Sequence, residues 1–167
     1  FHMEISAVDT MYGHLQVARA DFFNRKPVPV RRDLFVPNEP TVVDTLKKIK
    51  GVQSVSGRVA LYALLSDGEL TVSVQGIGFD VKQEPMIVKN LFFFEGAGLD
   101  ELSDREIIIG IGLNKAIHAK PGDRLSLVTS TLDGTVNGMD MTVKGIFAAG
   151  TTEIDDFVVF MPLAAAK

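Results

Sequence analysis

The stretch Glu106-Ile107-Ile108-Ile109-Gly110-Ile111-Gly112-Leu113 narrows the fold more than any other. Three consecutive isoleucines with no polar alternation read as a strand buried in a core, and their β-branched side chains favour the pleated conformation over a helix. The glycines behind them end that strand, and 113–117 reads as a short helix. A buried strand that feeds a helix needs further strands beside it and another layer packed against it.

The rest of the chain supplies both. Leu15 and Val17 alternate with His14 and Gln16, which predicts a first strand over 13–19. The segment 24–40 holds Pro27, Pro29, Pro37 and Pro40 among Arg25, Lys26, Arg31 and Arg32, and reads as a loop because proline removes backbone donors. Asn38 is placed to cap a helix with Pro40 in its first turn. Val42, Val43, Leu46 and Ile49 share one face of it, lysines crowd its negative end, and Gly51 stops it. A strand at 59–65, a turn at Asp67-Gly68 and alternation over 70–75 make a hairpin.

Gly76-Ile77-Gly78 and Gly96-Ala97-Gly98 bracket a segment with Phe92-Phe93-Phe94. After the strand and helix at 107–117, Pro121-Gly122-Asp123 turns the chain into a strand at 124–128. The stretch 130–138 reads as a loop around Asp133-Gly134. Met139, Met141 and Val143 alternate with polar residues, and a last strand at 157–161 meets Pro162, which opens a helix. The fold class is therefore α+β. The expected plan has two lobes: 4–75 begins an α/β lobe, 76–150 is an inserted, mostly β lobe, and 151–167 returns to the first.

Composition excludes several functions. A net charge of −4 with 17 Lys and Arg spread along the chain gives no basic field for nucleic acid. The absence of cysteine removes disulfides, zinc–thiolate sites and thiol catalysis. No apolar run approaches the roughly 18 to 20 residues that span a bilayer, and no charged-then-apolar leader opens the chain. The abrupt start at Phe1-His2-Met3 and the stop inside an alanine-rich segment read as a piece cut from a longer protein.

No residue set assembles into a catalytic, cofactor or metal site. Gly110-Ile111-Gly112 stands where a dinucleotide loop would, but Lys115 holds the third glycine position and no ribose-binding acid follows, so tight strand–helix packing is expected. His2, His14 and His118 lack ligand spacing, and Met139 and Met141 read as core residues. Asp100, Glu101, Asp104 and Glu106 read as a solvated loop with capping duty, and Asp155-Asp156 as a turn. The serines and threonines of 126–131 lack a nucleophile elbow and an activating histidine. The missing parts point to binding or mechanical work.

Four segments in order carry a family resemblance: 107–117 (Ile-Ile-Ile-Gly-Ile-Gly-Leu-Asn-Lys-Ala-Ile), 120–127 (Lys-Pro-Gly-Asp-Arg-Leu-Ser-Leu), 141–147 (Met-Thr-Val-Lys-Gly-Ile-Phe) and 154–163 (Ile-Asp-Asp-Phe-Val-Val-Phe-Met-Pro-Leu). They resemble the periplasmic core domain of ABC-transporter permeases of the MacB, LolC and LolE type, also called FtsX-like. Gly13 to Val17 resembles the strand after the first membrane helix of such permeases, and 52–55 with 74–80 resembles the strand entering the family's bend. Asn114 and Lys115 depart from its small or apolar residues, and Gly78-Phe79-Asp80 adds a residue to the bend.

The resemblance implies a porter lobe and a smaller sabre lobe on the periplasmic or extracellular face of the cell membrane. It implies one membrane helix before Phe1 and three after Lys167. Its partners would be a cytoplasmic ATPase subunit or domain, a second permease subunit, and a periplasmic partner protein or lipoprotein. The domain would pass ATP energy on as motion, with no cofactor and no chemistry of its own, to export or release a lipoprotein, lipid, peptide or hydrophobic drug. Arg25, Lys26, Arg31 and Arg32 are then candidate contacts for a partner or lipid headgroups. The alternative is a free-standing periplasmic binding protein or chaperone for apolar ligands, which the 11 phenylalanines and the run at 92–94 favour. The separate domain is expected to be a monomer.

Overall fold

The computed structural model describes residues 13–19, 36–37, 39–131 and 134–167. Its strands are β1 (Arg58–Ser66), β2 (Thr71–Phe79), β3 (Phe92–Gly96), β4 (Glu106–Gly110), β5 (Arg124–Ser130), β6 (Val136–Ala148) and β7 (Val158–Pro162). The helices are short: α1 (Glu39–Lys47), α2 (Pro85–Lys89), α3 (Ile111–Ile117), α4 (Thr152–Phe157) and α5 (Leu163–Ala166). The α+β class holds. No helix among the described residues is long and apolar enough to cross a membrane.

All these strands belong to one sheet of order β3-β6-β4-β7-β2-β1-β5, in which β5 also pairs with β6. That extra pairing closes β6-β4-β7-β2-β1-β5 into a ring, which removes the open edges those strands would otherwise present. Each ring strand turns alternate residues inward. Leu65, Val74, Ile109, Leu127, Met141 and Val159 meet there, all buried. Outside the ring a second cluster forms where Phe79, Phe147 and Phe160 pack under Ile87 of α2, Leu91, Leu99 and Ile154 of α4. Phe160 is central, with ring centroids 5.8 Å from Phe79 and 5.4 Å from Phe147.

The isoleucine run sits between these cores. Ile107 and Ile109 face the ring interior and Ile108 the outer cluster, so none of the three isoleucines on this face-alternating strand meets water. The same holds for β7, with Val159 and Met161 inside and Val158 and Phe160 outside. Since β4 and β7 run antiparallel, α3 leaves one end of the ring and α5 the other. α4, which precedes β7, sits with α3, and the β1–β2 hairpin turns at that same end because β2 runs parallel to β7.

Several expectations need correction. The boundary at 75/76 falls within β2, and 76–150, expected as an inserted lobe, supplies β3 to β6 to the same sheet as β1, β2 and β7. Gly76 and Gly78 looked like a break, but they are strand residues whose missing side chains admit Leu61, Met161 and Ala166. Residues 13–19 form no strand, and Leu15 is 87% exposed, because alternation alone cannot supply a pairing partner. The loop expected over 130–138 is shorter, since Ser130 pairs with Val136. Asp155 and Asp156 lie in α4 and not in a turn, so β7 begins one residue later than expected and leaves Phe157 exposed.

Other expectations hold. α1 is found at Glu39–Lys47 but ends before Ile49, which is exposed in the turn that leads to Gly51 (φ 97°), and Asn38, expected to cap it, lies outside the described residues. Gly68, with φ 99°, turns the β1–β2 hairpin, whose Asp67 Oδ1 accepts the N–H groups of Glu69 and Leu70 at 2.9 and 2.7 Å. Those two bonds, Leu70 first, hold the Asp67 carboxyl below its ordinary range.

Candidate functional site

The basic residues singled out as partner contacts, Arg25, Lys26, Arg31 and Arg32, lie outside the described residues, as does His2. His14 is exposed. His118 is exposed as well, at the left-handed end of α3, where its φ is 58° and its N–H donates to the Asn114 carbonyl at 2.7 Å. Met141 is buried in the ring and Met139 packs against that core, as the alternation predicted.

The glycine elbow between β4 and α3 is filled by protein. A Cβ on Gly110 would lie 2.2 Å from the Asp155 carbonyl oxygen, and one on Gly112 would lie 1.7 Å from Asp156 Oδ1. The glycines therefore let α4 lie directly against the start of α3, and a carboxylate already stands beside the positive end of that helix. Asp155 adds a second tie, its Oδ1 accepting the Ala149 N–H at 2.7 Å. This is the tight packing expected of the motif.

The acidic segment is more organised than expected. Lys144 donates to Asp100 Oδ2 at 2.8 Å, to Ser103 Oγ at 2.9 Å and to Glu106 Oε2 at 2.8 Å. An ammonium has three N–H donors and all are committed, so Lys144 has none left for a substrate. Burial works against its charged form, but the hydrogen bonds to Asp100 and Glu106 outweigh that and raise its pKa. In return, Lys144 and then the Leu102 N–H hold Asp100 low, while Lys144 and then Ser103 hold Glu106 low. Glu101 is apart, 3.9 Å from Lys82 in an exposed pair.

A β-bulge aims Lys144 at these acids. β4 pairs Ile107 with Val143 but Ile108 with Gly145, which leaves Lys144 out of register. The Gly96-Ala97-Gly98 crossing then lies on Gly145, where a Cβ would come within 2.4 Å of the Ala97 carbonyl. The clamp thus fastens the β3–β4 connection across β6. Sequence reasoning missed it, since Lys144 occupies an ordinary polar slot of the alternation.

At the end of the ring opposite the α3–α4 elbow, α5 is seated by small residues. A Cβ on Gly78 would lie 2.3 Å from the Ala166 Cβ, so only glycine lets the helix rest on β2. Ala165 and Ala166 close that end of the interior core. Lys167 Nζ reaches Glu39 Oε2 at 2.7 Å, and Glu39 also lies against Gly57 just before β1. The start of α1, the entry to β1 and the last helix therefore meet at one end of the ring. An ion pair from Arg58 to Glu84 ties β1 to the residue that precedes α2.

Phe92 and Phe94, expected either in a core or at an apolar ligand, stand 64% and 56% exposed on β3 with ring centroids 5.0 Å apart; Phe93 alone packs inward. Among the described residues, then, the polar clamp and the glycine contacts are devices that fix elements to one another.

No protein-family model matches the chain, and no curated protein matches it. Among solved structures it is similar to the crystal structure of the extracellular domain of the noncanonic ABC-type transporter YknZ from Gram-positive bacteria. The TM-score is 0.53 at 17% identity, over 72% of this chain and 60% of that one. At that identity the likeness is one of fold. The chain spans about three fifths of the length of the protein it matches.

Proposed function

We propose that the chain is the extracytoplasmic domain of an ABC-transporter permease of the MacB, LolC and LolE type, working by motion and contact and not by catalysis. The observation that carries this reading is the fold likeness to the extracellular domain of an ABC-type transporter, over 72% of the chain, beside the four ordered motifs. The motifs have physical content in this fold. Gly145 of the third motif makes room for the crossing at Ala97, Gly110 and Gly112 of the first make room for α4, and Asp123 of the second accepts the Lys120 N–H at 2.8 Å.

On this reading α5 is the link to the membrane. A helix set against β2 through Gly78 carries the sheet with it when it shifts, because a packed core transmits displacement instead of absorbing it. A cytoplasmic ATPase would supply the movement through membrane helices, and a second permease subunit would complete the transporter. The cargo would be a lipoprotein, lipid, peptide or hydrophobic drug, received from or passed to a periplasmic partner. The complete reading frame tests this assignment: one apolar span before Phe1 and three after Lys167 are expected, and a frame with no membrane span on either side would refute it.

A further inference from the structure

The last turn of α1 and the residues after it form a basic tip with an apolar centre. Lys47, Lys48 and Lys50 are exposed, and Ile49 among them is 53% exposed. The helix buries none of its residues fully, and Val42, Val43 and Leu46 are only partly covered. From Thr45 to Ser66 the chain carries Lys47, Lys48, Lys50 and Arg58 and no acid, against a net charge of −4 for the whole. Arg58 is committed to Glu84. The three lysines have no side-chain partner among the described residues.

Helix polarity accounts for part of this, since a basic residue in the last turn offsets the negative end of a helix, and Lys47 stands there. Lys48, Ile49 and Lys50 follow the helix, in the turn that leads to Gly51, and their exposure serves no core. Their place in the fold is the second observation. Glu39, the first residue of α1, accepts from Lys167 Nζ at 2.7 Å, so the helix starts beside the last residue of α5. Its nine residues span about 13 Å, which sets the distance from that ion pair to the basic tip.

We infer that this tip rests on the anionic headgroups of the membrane surface, with the three ammonium groups against lipid phosphates and Ile49 among the headgroups. The inference rests on the permease reading, in which α5 leads to the membrane. Lysine suits such a place, because its stem lies along apolar surface while the ammonium stays with water and phosphate. Each lysine near an anionic leaflet strengthens binding roughly fivefold. Three lysines and one isoleucine make a weak contact, and the link through α5 supplies the local concentration that fills it. A domain held at α5 alone can pivot. A second foothold on α1, which leads into β1, fixes the tilt of the sheet over the membrane.

The chain contains no tryptophan, so Ile49→Trp gives a single fluorescent reporter at an exposed site. Leu102→Trp, at a residue 93% exposed on the clamped turn, is the control. Vesicles of phosphatidylglycerol should shift the Ile49→Trp emission to the blue and leave Leu102→Trp unchanged, and vesicles of phosphatidylcholine should shift neither. Raising salt from about 0.1 M to about 1 M, which shortens the screening length from ~10 Å to ~3 Å, should reverse the shift. Lys47→Gln, Lys48→Gln and Lys50→Gln together should weaken binding of the Ile49→Trp chain roughly 100-fold. A shift that survives those three exchanges overturns the inference, as does an equal shift with both kinds of vesicle, or one lost only when Arg25, Lys26, Arg31 and Arg32 are exchanged for Gln. Vesicle binding is read without membrane helices, whereas labelling of Leu102→Cys in the complete protein reads the permease assignment, so either can fail without the other.

Discussion

Replacing Gly110 by alanine probes whether the strand–helix elbow is a packing device. Gly110 has φ −67° and ψ 149°, which alanine adopts freely, so any cost is steric. The added Cβ would lie 2.2, 2.7 and 2.9 Å from the carbonyl oxygen, carbonyl carbon and Cα of Asp155. Those are backbone atoms of a helix anchored in the outer cluster by Ile154, and they must move by about 1 Å to restore an ordinary contact. Forced overpacking of this kind costs about 1–3 kcal/mol, which lowers Tm by roughly 2–4 °C per kcal/mol in a domain this size.

Gly112→Ala has a different obstacle, Asp156 Oδ1 at 1.7 Å, the free end of a side chain. It also gains about 1 kcal/mol of helix propensity, so its net cost is smaller, and Asp156→Ala removes most of what remains. Gly138→Ala, with Val128 Cγ2 at 3.6 Å, is the neutral control. Urea denaturation of the six proteins, wild type included, should rank Gly110→Ala as least stable among the single glycine variants. Asp156→Ala should rescue Gly112→Ala and leave Gly110→Ala unrescued. Equal stabilities for the two glycine variants, or rescue of both, would refute the packing account.

The clamp and the α5 seat give further expectations. Lys144→Met should cost about 1–2 kcal/mol, between an exposed pair and a buried charge-assisted bond. Because Asp100 and Glu106 have folded pKa values below their ordinary 3.8 and 4.5, their contribution is complete above those values and is lost as pH falls through the lowered ones. Lys144, raised from 10.5, contributes fully below that value and loses its contribution only as pH rises through the raised one. Stability of the wild type should thus fall more steeply below about pH 4.5 than that of Lys144→Met, by denaturation across pH; parallel curves would contradict the clamp. Gly78→Val should lift α5 off β2 and abolish transport by the complete protein while ATP hydrolysis persists. Lys167→Ala, whose partner pair is half exposed, should change stability by no more than about 1 kcal/mol; retained transport in Gly78→Val would contradict the role given to α5.

The elements legible in the sequence were those fixed by local chemistry: the Asp67-Gly68 turn, the Pro121-Gly122-Asp123 turn, the helix that follows Pro37 and ends before Gly51, and the isoleucine run that only a buried strand explains. Closure of the ring was not legible, since the pairing of β5 with β1, such as Ala63 with Thr129, joins residues far apart in sequence. Nor was the clamp, because Lys144 and Asp100 lie 44 positions apart and the bulge that aims the lysine appears only in the register. Gly76 and Gly78 misled in the other direction. They read as a domain break, whereas their role is close approach of Leu61, Met161 and Ala166 within one strand. The alternation of 13–19 had the right period but pairs with no strand among the described residues.

The central claim, that this domain stands outside the membrane as part of a permease, is tested most directly at Leu102, which is 93% exposed. The chain has no cysteine, so Leu102→Cys in an otherwise cysteine-free complete protein gives one reporter thiol. A membrane-impermeant maleimide applied to cells with an intact cytoplasmic membrane should label it fully. Labelling only after lysis would place the domain on the cytoplasmic side and contradict the account.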